Sequence, residues 1–302
     1  MMNKILGILT ILMAGMWCMP RMYAQPSGDA VVSGYGMVKT NMKVGYDYTS
    51  GPVSDHFNAR VSYEFFKNRR FTLTANTHYN SLSVDFASDM LPEGYDPEAM
   101  GMNKTHIYGL GGLSGTFRSR LFGCQFMAYG MVSVDWGDSR FQRVSGMAMG
   151  LFMLRADRRT QFGIGPLVLI NSSSKIPAFL VFIYRHQFNR QLTLSLYGGI
   201  FGLEYTPTKA DLITVGGDID VRSFYFRPSH PSLPERCRYA NTSFRPGVKY
   251  RRCLAPNLYG ELQGGVVLKM SSRVNGVTGS KEYFDIPLPA RPFVYVAFSY
   301  AL

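Results

Sequence analysis

Few residues in this 302-residue chain have types and spacings that suggest chemistry. A serine hydrolase needs a nucleophile on a strained turn and a histidine within reach. Gly112-Leu113-Ser114-Gly115 approaches a G-x-S-x-G elbow but lacks its last spacing. Gly137-Asp138-Ser139 resembles a lipase-type block, yet no helix follows it, so it reads as a turn. The histidines (His56, His78, His106, His186, His230) are scattered, and none stands at a spacing that suggests a pair with a serine. Gly216-Gly217-Asp218-Ile219-Asp220 has two carboxylates for calcium but not the further ligands of a D-x-D-x-D-G loop. The acidic residues Asp85, Asp89, Glu93, Asp96 and Glu98 read as a solvated loop. Cys124, Cys237 and Cys253 form neither a disulfide framework nor a C-x-x-C zinc motif. No catalytic residue, metal or cofactor is expected.

A different set of polar residues is more informative. Lys43, Arg60, Glu64, His78, His106, Gln125, Arg245, Lys249, Glu261, Gln263 and Lys269 stand on the polar faces of segments that alternate with period two. Both signs of charge are present, as in a lumen crossed by salt bridges or lined for a solute. Arg245 and Lys249 are expected to face Glu261 of a neighbouring strand.

The elements that would position them are strands. From His56 to Phe65, the residues Phe57, Ala59, Val61, Tyr63 and Phe65 share one face, and His56, Asn58, Arg60, Ser62 and Glu64 share the other. Phe71–Asn80, Asn41–Thr49 and Leu258–Lys269 repeat the pattern. These segments are longer than the strands of a soluble sandwich, and aromatic residues gather at their ends, as in an interfacial girdle. The spacing predicts strands at 37–49, 56–66, 71–82, 105–118, 121–136, 143–155, 160–171, 178–188, 191–205, 239–250, 258–270 and 291–302. Short turns, such as those at 67–70, 119–120 and 251–257, alternate with longer connections, including 83–104, 206–238 and 271–290. Val215–Phe226 has strand character but is placed in the long 206–238 loop. The expectation is an all-β, transmembrane, antiparallel up-and-down barrel of 12 strands, with 14 as the alternative.

Composition agrees. Charged residues make up 17%, below the roughly 25% of soluble domains. The net charge of +12 is spread over turns rather than gathered in a stripe, which argues against nucleic-acid binding. Lys4, the apolar run from Ile5, Pro20 and Tyr23-Ala24 read as a signal peptide over residues 1–24, leaving 25–302 as one barrel domain. At the other end Phe298, Tyr300 and Leu302 alternate up to the last residue. This tail resembles the C-terminal assembly signal of bacterial outer-membrane proteins, with Ala297 and Leu302 departing from its usual residues. With the leader, it gives the chain a resemblance to the uncharacterised outer-membrane barrels of the Bacteroidota. That resemblance implies an outer-membrane location, with lipids, lipopolysaccharide and the barrel assembly machinery as partners, and it lends no activity. Three functions follow as expectations. The first is a non-enzymatic barrel, either a narrow channel for small solutes or a structural protein. The alternatives are a barrel lipid hydrolase and a soluble ligand-binding β-sandwich.

Overall fold

A computed structural model describes residues 41–137, 140–157, 159–170, 178–197, 200–277 and 282–301. The expected leader, the Asp138-Ser139 pair and Leu302 lie outside the described residues. The strands are β1 (Asn41–Thr49), β2 (Val53–Lys67), β3 (Phe71–Val84), β4 (Thr105–Leu121), β5 (Cys124–Gly137), β6 (Arg140–Ala156), β7 (Thr160–Ile170) and β8 (Ala178–Gln187). They continue as β9 (Leu192–Tyr197), β10 (Ile200–Tyr205), β11 (Asp211–Phe226), β12 (Cys237–Ala255), β13 (Leu258–Gly276), β14 (Glu282–Asp285) and β15 (Arg291–Ala301).

Each strand pairs antiparallel with its neighbour from β1 to β13. β15 then joins β13 to β1 and closes the ring. The wall therefore has 14 strands, and β14 is a short addition to the upper end of β13. The 12-strand expectation is corrected at one place. Residues 191–205 are not one strand but the β9–β10 hairpin, whose register runs from Ile200↔Tyr197 to Tyr205↔Leu192. Val215–Phe226 is accordingly a wall strand, part of β11, and not a loop extension. The 206–238 connection resolves into a short turn at 206–210 and a loop at 227–236. The proposed turns at 119–120 and 251–257 lie largely within long strands. The actual reversals are Phe122-Gly123, both at positive φ (53° and 79°), and Pro256-Asn257, with Asn257 at 67°.

The outward face is apolar on all sides. Leu113 is 58% exposed, Val132 61% and Leu180 70%, and Tyr63, Leu154, Phe182, Val215, Val248, Leu262 and Val294 are exposed with them. Water would not tolerate such a continuous apolar belt, whereas hydrocarbon solvates it. A closed ladder also satisfies the main chain without water. The protein is thus an outer-membrane β-barrel, and the soluble-sandwich alternative falls. The reversals at 68–70, 122–123, 188–191, 206–210 and 256–257 and the described ends of the wall share one side, which is periplasmic by the usual rule, and the long connections at 85–104 and 227–236 lie on the other.

That outer side carries the larger of two apolar cores. Phe86, Leu91, Met100 and Met102 of the 85–104 segment pack with Leu233, Phe284, Ile286 and Leu288. Beneath them lie Leu82, Val84, Phe224, Phe226, Tyr239 and Val274 of the wall. Asn103 clamps the cap, accepting from Phe86 N at 2.7 Å and donating to Phe86 O at 2.8 Å. The acidic loop read as solvated is therefore mostly a structured cap, with its carboxylates on the outside.

Candidate functional site

Residues opposite each other in a ladder share a face, so the registers trace the barrel's inner surface. Asp47 anchors it, because it contacts Arg222 of β11 and Arg245 of β12 from the non-adjacent β1. Following the registers from β1 through β8 shows that the inner surface has two sectors.

The polar sector spans β11–β13, β15 and β1–β4. At its centre Arg222 Nη2 and Arg245 Nη1 both donate to Asp47 Oδ2, each at 2.7 Å. Arg222 Nε also donates to Asp220 Oδ2 at 2.7 Å. Arg245 grips Asp218 with both Nε (2.9 Å) and Nη2 (3.2 Å), and Gln263 Nε2 reaches the same carboxylate at 3.4 Å. The planar guanidinium suits such paired donation. Asp47 is 1% exposed, and this buried network fills the lumen at its level. Lower down, Glu261 is held by Lys43 at 3.0 Å and Lys249 at 4.0 Å. Gly45 leaves room beside them for the Tyr295 ring, whose hydroxyl would lie 2.5 Å from a Cβ there.

The expected lumen residues are distributed as follows. Lys249 faces Glu261 at 4.0 Å, Lys43 joins them from β1, and Gln263 reaches Asp218 instead. Arg245 does not face Glu261 but joins Asp47 and Asp218. Arg60 and His78 are directly opposed on the inner face of β2 and β3. Glu64 and Gln125 stand near the periplasmic rim, Glu64 3.3 Å from Lys67. His106 is sealed beneath the cap, its ring 3.9 Å from that of Phe224 and its Nε2 2.8 Å from Met102 O. Lys269 lies at the outer rim, paired with Asp285 of β14. Asp218 and Asp220, read as possible calcium ligands, are bound by arginines instead. The spacing Asp218-x-Asp220-x-Arg222 puts all three on one strand face and was the signal available for them.

The second sector is apolar, and the sequence reading missed it. Met131 opposes Met147, Met147 opposes Leu169, Met149 opposes Leu167, and Leu167 opposes Phe179. With Met127, Leu151, Met153, Val181 and Ile183, these side chains form the apolar part of the inner face of β5–β8; its outer end on β5 and β6 is polar, where Arg143 Nε donates to Asp135 Oδ2 at 3.3 Å and Ser145 Oγ to Asp135 Oδ1 at 3.0 Å. The signal was there as methionines at alternate positions (127, 131, 147, 149, 153), but on β7 and β8 both faces are largely apolar, so alternation of polarity does not mark the inner one there.

The two sectors separate toward the outer side. The free edge of β11 crosses the lumen to β4 and β5. Ser223 N–H donates to the Tyr108 hydroxyl, and the Tyr225 hydroxyl donates to Asp135 Oδ2 at 3.2 Å. At this level β11–β13, β15 and β1–β4 enclose the filled, capped polar sector. Eight strands is the size that side chains alone can fill. The apolar inner face of β5–β8 is left in a side compartment facing the outward side of β11.

No catalytic constellation accompanies these surfaces among the described residues. Ser232 Oγ lies 2.8 Å from His230 Nδ1 and 2.9 Å from the Tyr95 hydroxyl, a serine–histidine contact the sequence reading did not anticipate. It spans two residues of an exposed turn, with the His230 ring stacked on Tyr95. Ser114 hydrogen-bonds Asn76 in the wall.

No family model matches the chain, and no curated protein matches it. Among solved structures, it is similar to an outer membrane channel from Pseudomonas putida F1, with 11% identity over 92% of this chain and 100% of that one, at a TM-score of 0.44. A Pseudomonas aeruginosa FadL homologue matches with 10% identity over 87% of this chain and 89% of that one, at 0.40. LpxR from Salmonella typhimurium matches with 8% identity over 87% of this chain and 100% of that one, at 0.35.

Proposed function

We propose that this outer-membrane barrel is a non-enzymatic, narrow conduit for small apolar or amphipathic molecules, which move along the inner face of β5–β8. The observation that carries this reading is the apolar stretch of inner wall that runs from Met131 and Met147 through Leu169 and Leu167 to Phe179 and Val181. A water-filled pore lines its lumen with polar side chains, because ions and sugars keep part of their hydration. Here the polar half of the lumen is blocked by its own ion pairs and covered by the cap, and what remains is greasy and methionine-rich. Methionine's unbranched, polarizable thioether adapts to ligands of varied shape. In the same reading, Phe298 and Tyr300 on the outward face of β15, with Leu302, serve the assembly machinery and not the solute.

The test has two arms. In planar bilayers the purified protein should give ionic conductance well below that of an open porin. In cells carrying it in the outer membrane, entry of N-phenylnaphthylamine should rise while entry of a polar dye of similar size stays at background. Met147→Asp with Leu169→Asp should return apolar entry to background. Large porin-like conductance steps, or apolar entry untouched by the double variant, would defeat the proposal.

A further inference from the structure

The β9–β10 hairpin is too short to cross the membrane. Its strands have six residues each. That is about 20 Å along the strand and, at a tilt of about 40°, about 15 Å of membrane depth, against an apolar band of about 25 Å. The ladders record the shortfall. β9 pairs with β8 only over 183–187, and β10 pairs with β11 only over 213–218. Above the hairpin, residues 178–182 of β8 and 219–226 of β11 have no strand between them among the described residues. Counted from the periplasmic turns, this gap lies at the depth of the outer leaflet.

Both sides of the gap are apolar. Ile219 and Val221 continue the lipid-facing surface of β12 onto β11. Across the gap Phe179, 42% exposed, and Val181 stand on the inner face of β8, with Leu180 outward. Because the upper end of β11 leans onto β4 and β5, its outward side faces the inner side of β5–β8. The outward side of β11 at Ile219 and Val221 and the inner side of β8 at Phe179 and Val181 therefore form one apolar surface leading from the lipid face into the side compartment, whose far side on β5 and β6 carries the Tyr225–Asp135–Arg143 contacts.

We infer that the side compartment is an acyl-chain seat, entered sideways from the outer leaflet through the gap above the β9–β10 hairpin. The occupant is a hydrocarbon chain. The entry stands at acyl depth, no charged side chain of β8 178–182 borders it, and the surface leading in is continuous with the belt that lipid already covers. Asp220 and Arg222 are on the other face of β11 and are consumed by the ion-pair network. This inference extends the proposed conduit by giving it a lateral mouth, but the seat does not depend on net transport.

The experiment is site-specific photocrosslinking in vesicles of defined phospholipid, with benzoylphenylalanine placed singly at Phe179, Val181, Leu180 or His78, read as lipid adducts by mass spectrometry. Leu180 faces the bilayer and reports folding and insertion. His78 lies on the polar inner face and reports background. The seat predicts adducts at Phe179 and Val181 comparable to those at Leu180, none at His78, and loss of the Val181 adduct in a Val221→Arg background that keeps the Leu180 adduct. Adducts at Leu180 without any at Phe179 and Val181 would overturn the inference, as would a Val181 adduct that survives Val221→Arg. Because the readout is contact and not flux, lipid adducts together with background dye entry would sink the conduit and leave the seat standing. Dye entry without inner-face adducts would do the reverse.

Discussion

The two sectors of the inner wall solve the same problem in opposite ways. Around Asp47 the lumen is filled with charge, and the carboxylates of Asp47, Asp218 and Asp220 each face an arginine because an unpaired buried charge is costly. Along β7 and β8 and the middle of β5 and β6 the lumen wall needs no partners, since thioethers and aliphatic chains carry no hydrogen-bonding obligation. A filled, paired interior is rigid and closed. An unpaired apolar one can accommodate a guest. The cap and the crossing of β11 follow the same division, since they seal the polar sector and leave the apolar one at the side.

The sharpest way to break the comparison is to remove the shared carboxylate. Asp47→Ala leaves Arg222 and Arg245 buried with one acceptor site gone from each. The expected loss is about 3 kcal/mol or more, the usual result of orphaning a buried charge. Urea unfolding of the refolded barrel measures it. A loss under about 1 kcal/mol would place the cluster in the class of solvated surface pairs and erase the distinction between the sectors.

The corresponding change in the other sector should be milder. Met131→Ala and Met147→Ala remove two facing side chains that are only partly buried. Each should cost about 1 kcal/mol, below the 2–5 kcal/mol of a fully enclosed methionine, because lumen access already exposes part of the side chain. The same unfolding assay decides this. A cost per residue equal to that of Asp47→Ala would mean the compartment is a packed core with no room for a guest.

This contrast also explains what could be read without coordinates. Long period-two segments such as His56–Phe65 give strands because one face must meet lipid and the other the lumen, and that constraint is written at every second residue. The lumen residues found this way belong almost entirely to the polar sector, since only there does polarity alternate. On β7 and β8, Leu167, Leu169, Phe179, Val181 and Ile183 point inward while Pro166, Val168, Leu180 and Phe182 point outward, so neither face announces itself. The strand count failed for a related reason. Residues 191–205 have the length of one membrane strand, and the hairpin signature between β9 and β10, Gly198-Gly199, was available but was read through. A six-residue wall strand violates the length rule that made the other strands recognisable, and this violation is what opens the gap above the hairpin. The cross-lumen contacts of Asp47 bridge strands about 175 and 198 residues apart and have no local signature at all.

The smallest expected effect lies at the foot of the apolar sector, in the β6–β7 turn. The backbone N–H of Thr160 donates to Asp157 Oδ1 at 2.6 Å, Arg155 Nε donates to Oδ2 at 2.6 Å, and the N–H of Arg159 donates to Oδ1 at 2.9 Å. These donors, Thr160 first, hold the carboxyl below its ordinary value of 3.8. A carboxylate depressed in the folded state favours folding above its ordinary value, and that contribution fades as pH falls below 3.8 through the depressed folded value. Asp157→Asn should therefore lower the midpoint of unfolding slightly at pH 7, and the difference from wild type should shrink as pH drops below 4. Because the group is fully exposed, the effect stays small and is screened by salt. Urea midpoints at pH 7 and pH 3, at low and high salt, measure it. A difference that grows on acidification would mean that the turn is held by something other than the ionised carboxylate, and that the apolar sector rests on a different foundation at its periplasmic edge.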